Sequence, residues 1–334
     1  MSARTAPRIV SGMRPTGRLH LGHLLGTLAT WRRLQREAEC FFFVADWHAL
    51  TTDYDRAESV PAHVLEMVID WLASGVDADR ATIFLQSAVP EHAELHLLLS
   101  MITPVGWLER VPTYKETQQQ LADRDLSTYG FLGYPVLQAA DILMYRATGV
   151  PVGADQVPHV ELTRDIARRF NHVFGDTFPE PEAVLAETPR VPGLDGRKMS
   201  KSYNNAVFLA DSADEVKAKL SRMMTDPRRA RRSDPGDPAD CPAYTLHRVY
   251  CTPEELRWAA EGCRSADIGC LECKQVMIAR AEIELGPIRE RRAALAARPD
   301  DVRDVLASGS RRAREVARAT MEDVRARVGM GGGV

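Results

Sequence analysis

Strand-like and helix-like segments alternate through the first half of this chain, and that alternation restricts the fold more than any other feature. Ile9-Val10-Ser11 reads as a short strand and residues 21–34 as a helix. Phe41-Phe42-Phe43-Val44-Ala45 is a continuous apolar run, the mark of a strand buried on both faces. In residues 61–73, Val64, Val68 and Leu72 recur at helical spacing, with Leu65 and Ile69 beside them. Thr82-Ile83-Phe84-Leu85 and residues 150–152 read as further strands. Strands separated by helices imply an α/β fold, a doubly wound parallel sheet, with ligands at the carboxyl ends of the strands.

The pattern changes after about Asp211, where the segments become helical and rich in Ala, Arg and Glu. A stretch rich in Pro, Asp and Arg, residues 226–242, reads as loop. The expected division is a catalytic domain over residues 1–195, a helical domain over 196–307, and a C-terminal helix over 308–334 that folds back on the core. No apolar run approaches the ~20 residues of a membrane span. The opening residues lack the apolar stretch of a signal peptide, so a cytoplasmic protein is expected.

Two segments carry chemistry. The first runs from Ser11 to His23, out of the first strand and into the first helix. Pro15 and Gly17 shape a turn. His20 and His23 are three apart and share a helical face, beside backbone N–H groups that suit a polyphosphate. Gly22 removes a side chain where a nucleotide could pack. The second is Gly196-Arg197-Lys198-Met199-Ser200-Lys201-Ser202, a Gly-flanked loop whose two ammonium groups and two hydroxyls can close on a pyrophosphate. Alone, a K-x-x-K is better read as a solvated basic loop.

Together, His20-Leu21-Gly22-His23 and Lys198-Met199-Ser200-Lys201-Ser202 resemble the paired signatures of class I aminoacyl-tRNA synthetases. The resemblance extends over nearly the whole chain and is to the bacterial tryptophanyl-tRNA synthetases. It rests on residues 11–26, 44–50, 134–145, 151–171 and 192–205. It implies catalytic roles for His20, His23, Lys198 and Lys201. It also implies an ATP site of Arg14, Pro15, Thr16, Gly22, His23, Lys115, Gly153, Ala154, Asp155, Lys198, Met199, Ser200, Lys201 and Ser202, with Asp155 accepting from a ribose hydroxyl. The chain departs from the commoner pattern at Arg14, where Gln is usual, and has His where Thr and Asn often stand in the first signature. The resemblance further implies ATP used with Mg²⁺, an adenylate intermediate, tRNA and not DNA as the nucleic-acid partner, and a homodimer.

Tyr134, Gln138 and Asp141 fall on one helical face at spacings of four and three. A buried Asp141 can accept the indole N–H of tryptophan, with Tyr134, Gln138 and Gln156 around the α-amino group and His48 shaping the pocket. His48 reads equally well as a core residue. The phenol of tyrosine also donates to a carboxylate, so these residues do not separate L-tryptophan and tRNA(Trp) from a tyrosyl-tRNA synthetase. The wider resemblance favours tryptophan. A nucleotidyl transferase that shares the core and uses no tRNA is a further alternative.

The formal charge is −3, from 43 basic and 46 acidic residues, so an RNA surface must come from local clusters. Arg222, Arg228, Arg229, Arg231 and Arg232 form one, and Arg311, Arg312, Arg314 and Arg318 another. Cys241, Cys263, Cys270 and Cys273 are spaced C-x21-C-x6-C-x2-C. Four thiolates so placed can hold Zn²⁺ or a [4Fe–4S] cluster. A subset of tryptophanyl-tRNA synthetases carries an iron–sulfur cluster on nearly this pattern, followed as here by a lysine at 274, which makes the cluster the expectation and zinc the alternative. Cys251 lies outside that set and reads as a free thiol.

Overall fold

The computed structural model describes residues 7–112, 126–185 and 191–330. Its centre is a five-stranded parallel sheet in the order β3-β2-β1-β4-β5. The strands are β1 (Arg8–Met13), β2 (Glu39–Val44), β3 (Ala81–Leu85), β4 (Gly149–Val152) and β5 (Glu182–Leu185). Val10 lies opposite Phe41 and Gly12 opposite Phe43, while Ile9 pairs with Gly149 on the other side. The strand order reverses between β1 and β4, so the loops that leave these two strands flank the crevice where ligands of such sheets bind. Those loops are the first signature and the turn at Gly153.

The α-helices that matter to the site are α1 (Ala29–Leu34), α2 (Asp46–Asp53), α3 (Val60–Ala73), α4 (Glu91–Ser100), α5 (Tyr129–Met144), α6 (Val157–Phe174), α7 (Ala213–Arg222), α8 (Pro242–Tyr250), α9 (Pro253–Ser265), α10 (Cys270–Ala296) and α11 (Pro299–Arg327). The expected helix over 21–34 is not uniform. A turn at Leu21–His23 widens to a π-helical stretch, Leu24–Leu28, before α1. β5 was not expected; it is short and follows Pro-Glu-Pro.

Both faces of the sheet are covered, which explains the unbroken apolar run of β2. Phe42 and Val44 join Leu24, Leu28, Trp31, Trp71 and Ile83 on one face, continuous with Leu220, Met277 and Leu285 of the helical half. Phe41 and Phe43 join Leu95, Leu99, Val136, Ile166 and Phe170 on the other. Trp31 stacks on Phe42 at 4.3 Å and meets Trp71 edge-on at 4.8 Å.

Helix α11 starts at Pro299, earlier than the expected 308, and lies along the edge strand β3. Ser310 Oγ accepts from the Leu85 amide at 3.3 Å. Gly309 makes the approach possible, because a Cβ there would sit 1.8 Å from the Ile83 carbonyl oxygen. Arg314 donates to Glu91 at 2.9 Å and Arg325 to Glu94 at 2.6 Å, so α11 is clamped to the first turn of α4. Arg312 donates to the Ala78 and Ala81 carbonyls. Arg312 and Arg314, expected as candidates for an RNA surface, are bound to the core instead. No helix among the described residues is long and apolar enough to cross a membrane.

Candidate active site

The two signatures meet at the carboxyl end of β1. His20 caps the short helix at Leu21–His23: its Nδ1 accepts from the Gly22 amide at 3.1 Å. His23 Nδ1 in turn accepts from the His20 amide at 3.2 Å. A neutral imidazole that accepts at Nδ1 carries its proton at Nε2, so each ring offers one N–H donor. Both rings are held neutral. Burial, then the charge of Lys201, lowers His20 to about 4. Burial, then His20 and Lys201, lowers His23 to about 3. Gly22 is required for a reason the sequence does not announce: a Cβ there would meet the His20 ring at 2.9 Å.

The second signature is a loop closed on itself. Gly193 N–H donates to the Arg197 carbonyl at 2.7 Å, and Met199 is buried beneath the loop. Buried Asn205 holds both sides: its Oδ1 accepts from Ser200 N–H at 2.8 Å, and its Nδ2 donates to Asp195 at 2.7 Å. Ser200 and Ser202 share a hydroxyl hydrogen bond of 2.8 Å. Lys201 crosses to the first signature, donating to the Thr16 carbonyl at 3.0 Å, the Thr16 hydroxyl at 3.2 Å and the Gly17 carbonyl at 3.2 Å. Lys198 is exposed, close enough for its charge to depress both histidines. Arg14 donates to Thr52 Oγ1 at 3.2 Å, while Pro15 is buried. Gly153, Ala154 and Asp155 form the exposed turn after β4, across the crevice, and half-buried Gln156 follows them. Lys115 lies outside the described residues.

Asp141 forms the floor of a second, deeper group. It is 1 % exposed. Its carboxylate accepts from His48 Nε2 at 2.8 Å, from Gln86 Nε2 at 2.8 and 2.9 Å, and from His92 Nδ1 at 2.5 Å. His92 Nε2 meets the Tyr145 hydroxyl at 2.7 Å. The ionised Asp141 can only accept, which places a proton on His92 Nδ1, facing it. Burial pushes the Asp141 carboxyl up, but the hydrogen bonds of His48 and His92 outweigh it and hold it at about 2. The site is therefore an ionised carboxylate cradled by an amide and two imidazoles. A carboxylate offers about four lone-pair sites, and these contacts occupy two on each oxygen, so an incoming N–H must displace one of them. Tyr134 and Gln138 share α5 with Asp141, and the Tyr134 hydroxyl meets His159 Nε2 at 2.9 Å. His48 thus belongs to this group and is also buried. Gln86, His92 and Tyr145 escaped sequence reading, because each lies on a different element with no local pattern.

Cys241, Cys263, Cys270 and Cys273 line one cavity with His247 and Lys274. Burial raises the thiols of Cys241 and Cys263, and lifts Cys273 to about 12, with the neighbouring cysteines adding to the effect. Among the described residues, no three or more His, Cys, Asp or Glu side chains are gathered as for one metal ion. The donor set therefore surrounds a space without converging on a point. Cys251, expected as a free thiol, is one, with its Sγ 3.3 Å from His247 Nδ1, and His247 Nε2 meets Cys273 Sγ at 3.2 Å. Arg229, expected as an RNA contact, is buried and donates to the Arg232 and Ile268 carbonyls. Arg228 pairs with Asp226 and Asp240.

A neutral imidazole pair, a crossing lysine and a strand-order reversal are the parts of a nucleotide site, and comparison with known proteins decides the family. The profile described as tRNA synthetases class I (W and Y) matches residues 2–283. The chain belongs to that family. The synthetase is 55 % identical over 320 residues to the tryptophan–tRNA ligase of Thermotoga maritima, a match covering 95 % of this chain and 98 % of that one. It is 47 % identical to the tryptophan–tRNA ligase of Ralstonia nicotianae, covering 97 % of this chain and 98 % of that one. The solved tryptophanyl-tRNA synthetase of Campylobacter jejuni, complexed with ADP and tryptophan, superposes with a TM-score of 0.87 at 31 % identity, covering 96 % of this synthetase and 99 % of that chain.

Proposed function

We infer that this synthetase is a tryptophan–tRNA ligase: it joins L-tryptophan to tRNA(Trp) at the expense of ATP, through tryptophanyl-adenylate, releasing pyrophosphate. The observation that carries the reading is 55 % identity to a tryptophan–tRNA ligase along almost the entire chain. A tyrosyl-tRNA synthetase of Archaeoglobus fulgidus matches at 22 % identity, which speaks for the fold alone.

The geometry supports the following roles. The tryptophan carboxylate attacks the α-phosphate of Mg-ATP. The Nε2–H groups of His20 and His23 donate to phosphate oxygens as neutral dipoles, while Lys198 and Lys201 supply the charge. Lys201 leaves the Thr16 and Gly17 carbonyls for the departing pyrophosphate, an interaction that strengthens as charge moves there. Ser200 and Ser202 add hydroxyl donors, and Met199 anchors the loop. Arg14, Pro15, Thr16 and Gly22 line the ATP side, and Gly153, Ala154 and Asp155 meet the adenosine from the far side of the crevice; for Lys115 the family resemblance alone supports a phosphate contact. Asp141, presented by His48, Gln86 and His92, takes the indole N–H, and Tyr134, Gln138 and Gln156 surround the α-amino group. Residues 1–195 with the loop at 198–202 do this chemistry, and the helical domain over 196–307 otherwise meets tRNA in the cytoplasm.

The four cysteines would hold a [4Fe–4S] cluster in preference to zinc. The support is four thiols lining one cavity, at the spacing C-x21-C-x6-C-x2-C followed by Lys274. Such a group would brace the helical half. A homodimer is favoured by Leu97, Met101, Val105 and Tyr129, large apolar side chains left exposed between the end of α4 and the start of α5.

ATP–pyrophosphate exchange with each amino acid tests the central reading. Tryptophan should support it, with tyrosine about a hundredfold poorer or worse, as the cost of a mispaired buried polar group implies. Exchange better with tyrosine would overturn it.

A further inference from the structure

One buried ion pair stands between the helical half and the first signature. Asp70 on α3 is 0 % exposed. Its Oδ2 accepts from the Leu19 amide at 3.1 Å, and its Oδ1 from Arg292 Nε at 2.8 Å. Arg292 also pairs with the half-exposed Glu66. Arg292 lies near the end of α10, the same helix whose first turns carry Cys270, Cys273 and Lys274. Its neighbours reinforce the attachment: Arg291 donates to the Ala73 carbonyl at 2.7 Å and Arg289 to the Asp211 carbonyl at 3.0 Å.

The residues from Thr16 to Leu19 are therefore gripped from two sides. Lys201 holds Thr16 and Gly17, and Asp70 holds Leu19, directly before His20. Gly17 has φ +99°, a turn that other residues resist. A backbone N–H is satisfied equally well by a neutral acceptor, so a fully desolvated carboxylate with its own arginine exceeds what that hydrogen bond requires. Buried ion pairs are poor devices for stability alone. This pair gives directional anchoring between three elements.

We propose that Asp70, held by Arg292, is a positioning residue for adenylate formation, fixing Leu19 and so His20 when Lys201 exchanges Thr16 and Gly17 for phosphate. This rests on the ligase reading above. Lys201 cannot hold the turn and the pyrophosphate together, so the second grip keeps the signature in shape during the step. Because Arg292 belongs to α10, the anchor for the ATP signature comes from the helical half.

The test is tryptophan-dependent ATP–pyrophosphate exchange by the full-length protein and three variants. Asp70→Asn removes the buried charge and leaves Arg292 paired with Glu66, so it is the variant expected to fold; Arg292→Lys keeps the charge and loses the geometry. Both should lower kcat by about tenfold or more and raise KM for ATP, the scale expected from a small misplacement of reacting groups, with KM for tryptophan within about twofold. Glu66→Gln, which spares the Asp70 contact, should stay within about twofold of wild type in every constant. A lower melting temperature with unchanged kcat and KM in Asp70→Asn and Arg292→Lys would make the pair merely structural and overturn the proposal. Equal losses in Glu66→Gln would overturn the assignment to Asp70. Wild-type exchange that ignores tryptophan would instead remove the ligase reading, before any variant is compared.

Discussion

Asp141 is ionised where water scarcely reaches, and the hydrogen bonds of His48 and His92 keep it so. Replacing it by Asn keeps the shape, turns two of its hydrogen bonds from charge-assisted to neutral, and sets an amide N–H against donors. Hydrogen bonds to charged groups are worth about 1.5–3 kcal/mol. Asp141→Asn should therefore raise KM for tryptophan by at least about tenfold, with KM for ATP changed by less than about threefold, in exchange kinetics. The two signature histidines give a pH prediction. Their folded pKa values, about 4 for His20 and about 3 for His23, lie below the ordinary 6.5. Below pH 6.5 the unfolded chain takes up protons that the folded chain refuses, so stability falls as the pH drops from 6.5 toward 4, and these groups add no pH dependence well above 6.5. Urea unfolding at stepped pH should show that loss, and His20→Gln should reduce it; an identical slope in the variant would contradict the assignment. At this scale the sequence disclosed side chains that sit in short signatures, such as His20, His23 and Lys201. It concealed Gln86 and His92, whose roles exist only after distant elements meet, and Asn205, whose role exists only once its own loop closes.

Among the elements, the buried strands and amphipathic helices were legible because apolar periodicity reports burial directly. The π-helical stretch Leu24–Leu28 was not, since it keeps an ordinary helical pattern. Nor was β5, where Glu182 to Leu185 offers only four residues to read. Helix α11 supplies a test of its own contact with β3. In an unconstrained helix, Gly→Ala is stabilising by about 1 kcal/mol. At position 309 the added carbon would lie 1.8 Å from the Ile83 carbonyl oxygen, so the helix must lift from the strand. Gly309→Ala should instead destabilise by about 1–3 kcal/mol, the range for overpacking, measured by chemical denaturation. The helices α8 to α10 carry the cysteine cavity. Anaerobically prepared protein should be brown and hold about four irons per chain, the stoichiometry of a [4Fe–4S] cluster. Cys270→Ser with Cys273→Ser should abolish the iron; colourless wild type with one zinc would keep the ligands and change the metal.

For the whole molecule, the apolar core does not stop at residue 195. One cluster runs from Ile9 in β1 to Val302 in α11, so the catalytic and helical halves share buried surface. Composition marked a change of style there, and the shared core shows why it marked no separation. Met101, 72 % exposed, and Tyr129, 68 % exposed, are the most exposed large apolar side chains among the described residues. If a second copy covers them, Met101→Glu should shift the mass measured by light scattering from dimer toward monomer, while wild type stays dimeric; a monomeric wild type would refute the docking. The clamp of α11 on β3 has a further consequence, in the order of manufacture. The sheet is translated long before the helix that seals its edge, so β3 waits with an unguarded flank until α11 has emerged. Nascent chains of this protein must pass that interval with an open strand, the condition under which strands find partners on other chains.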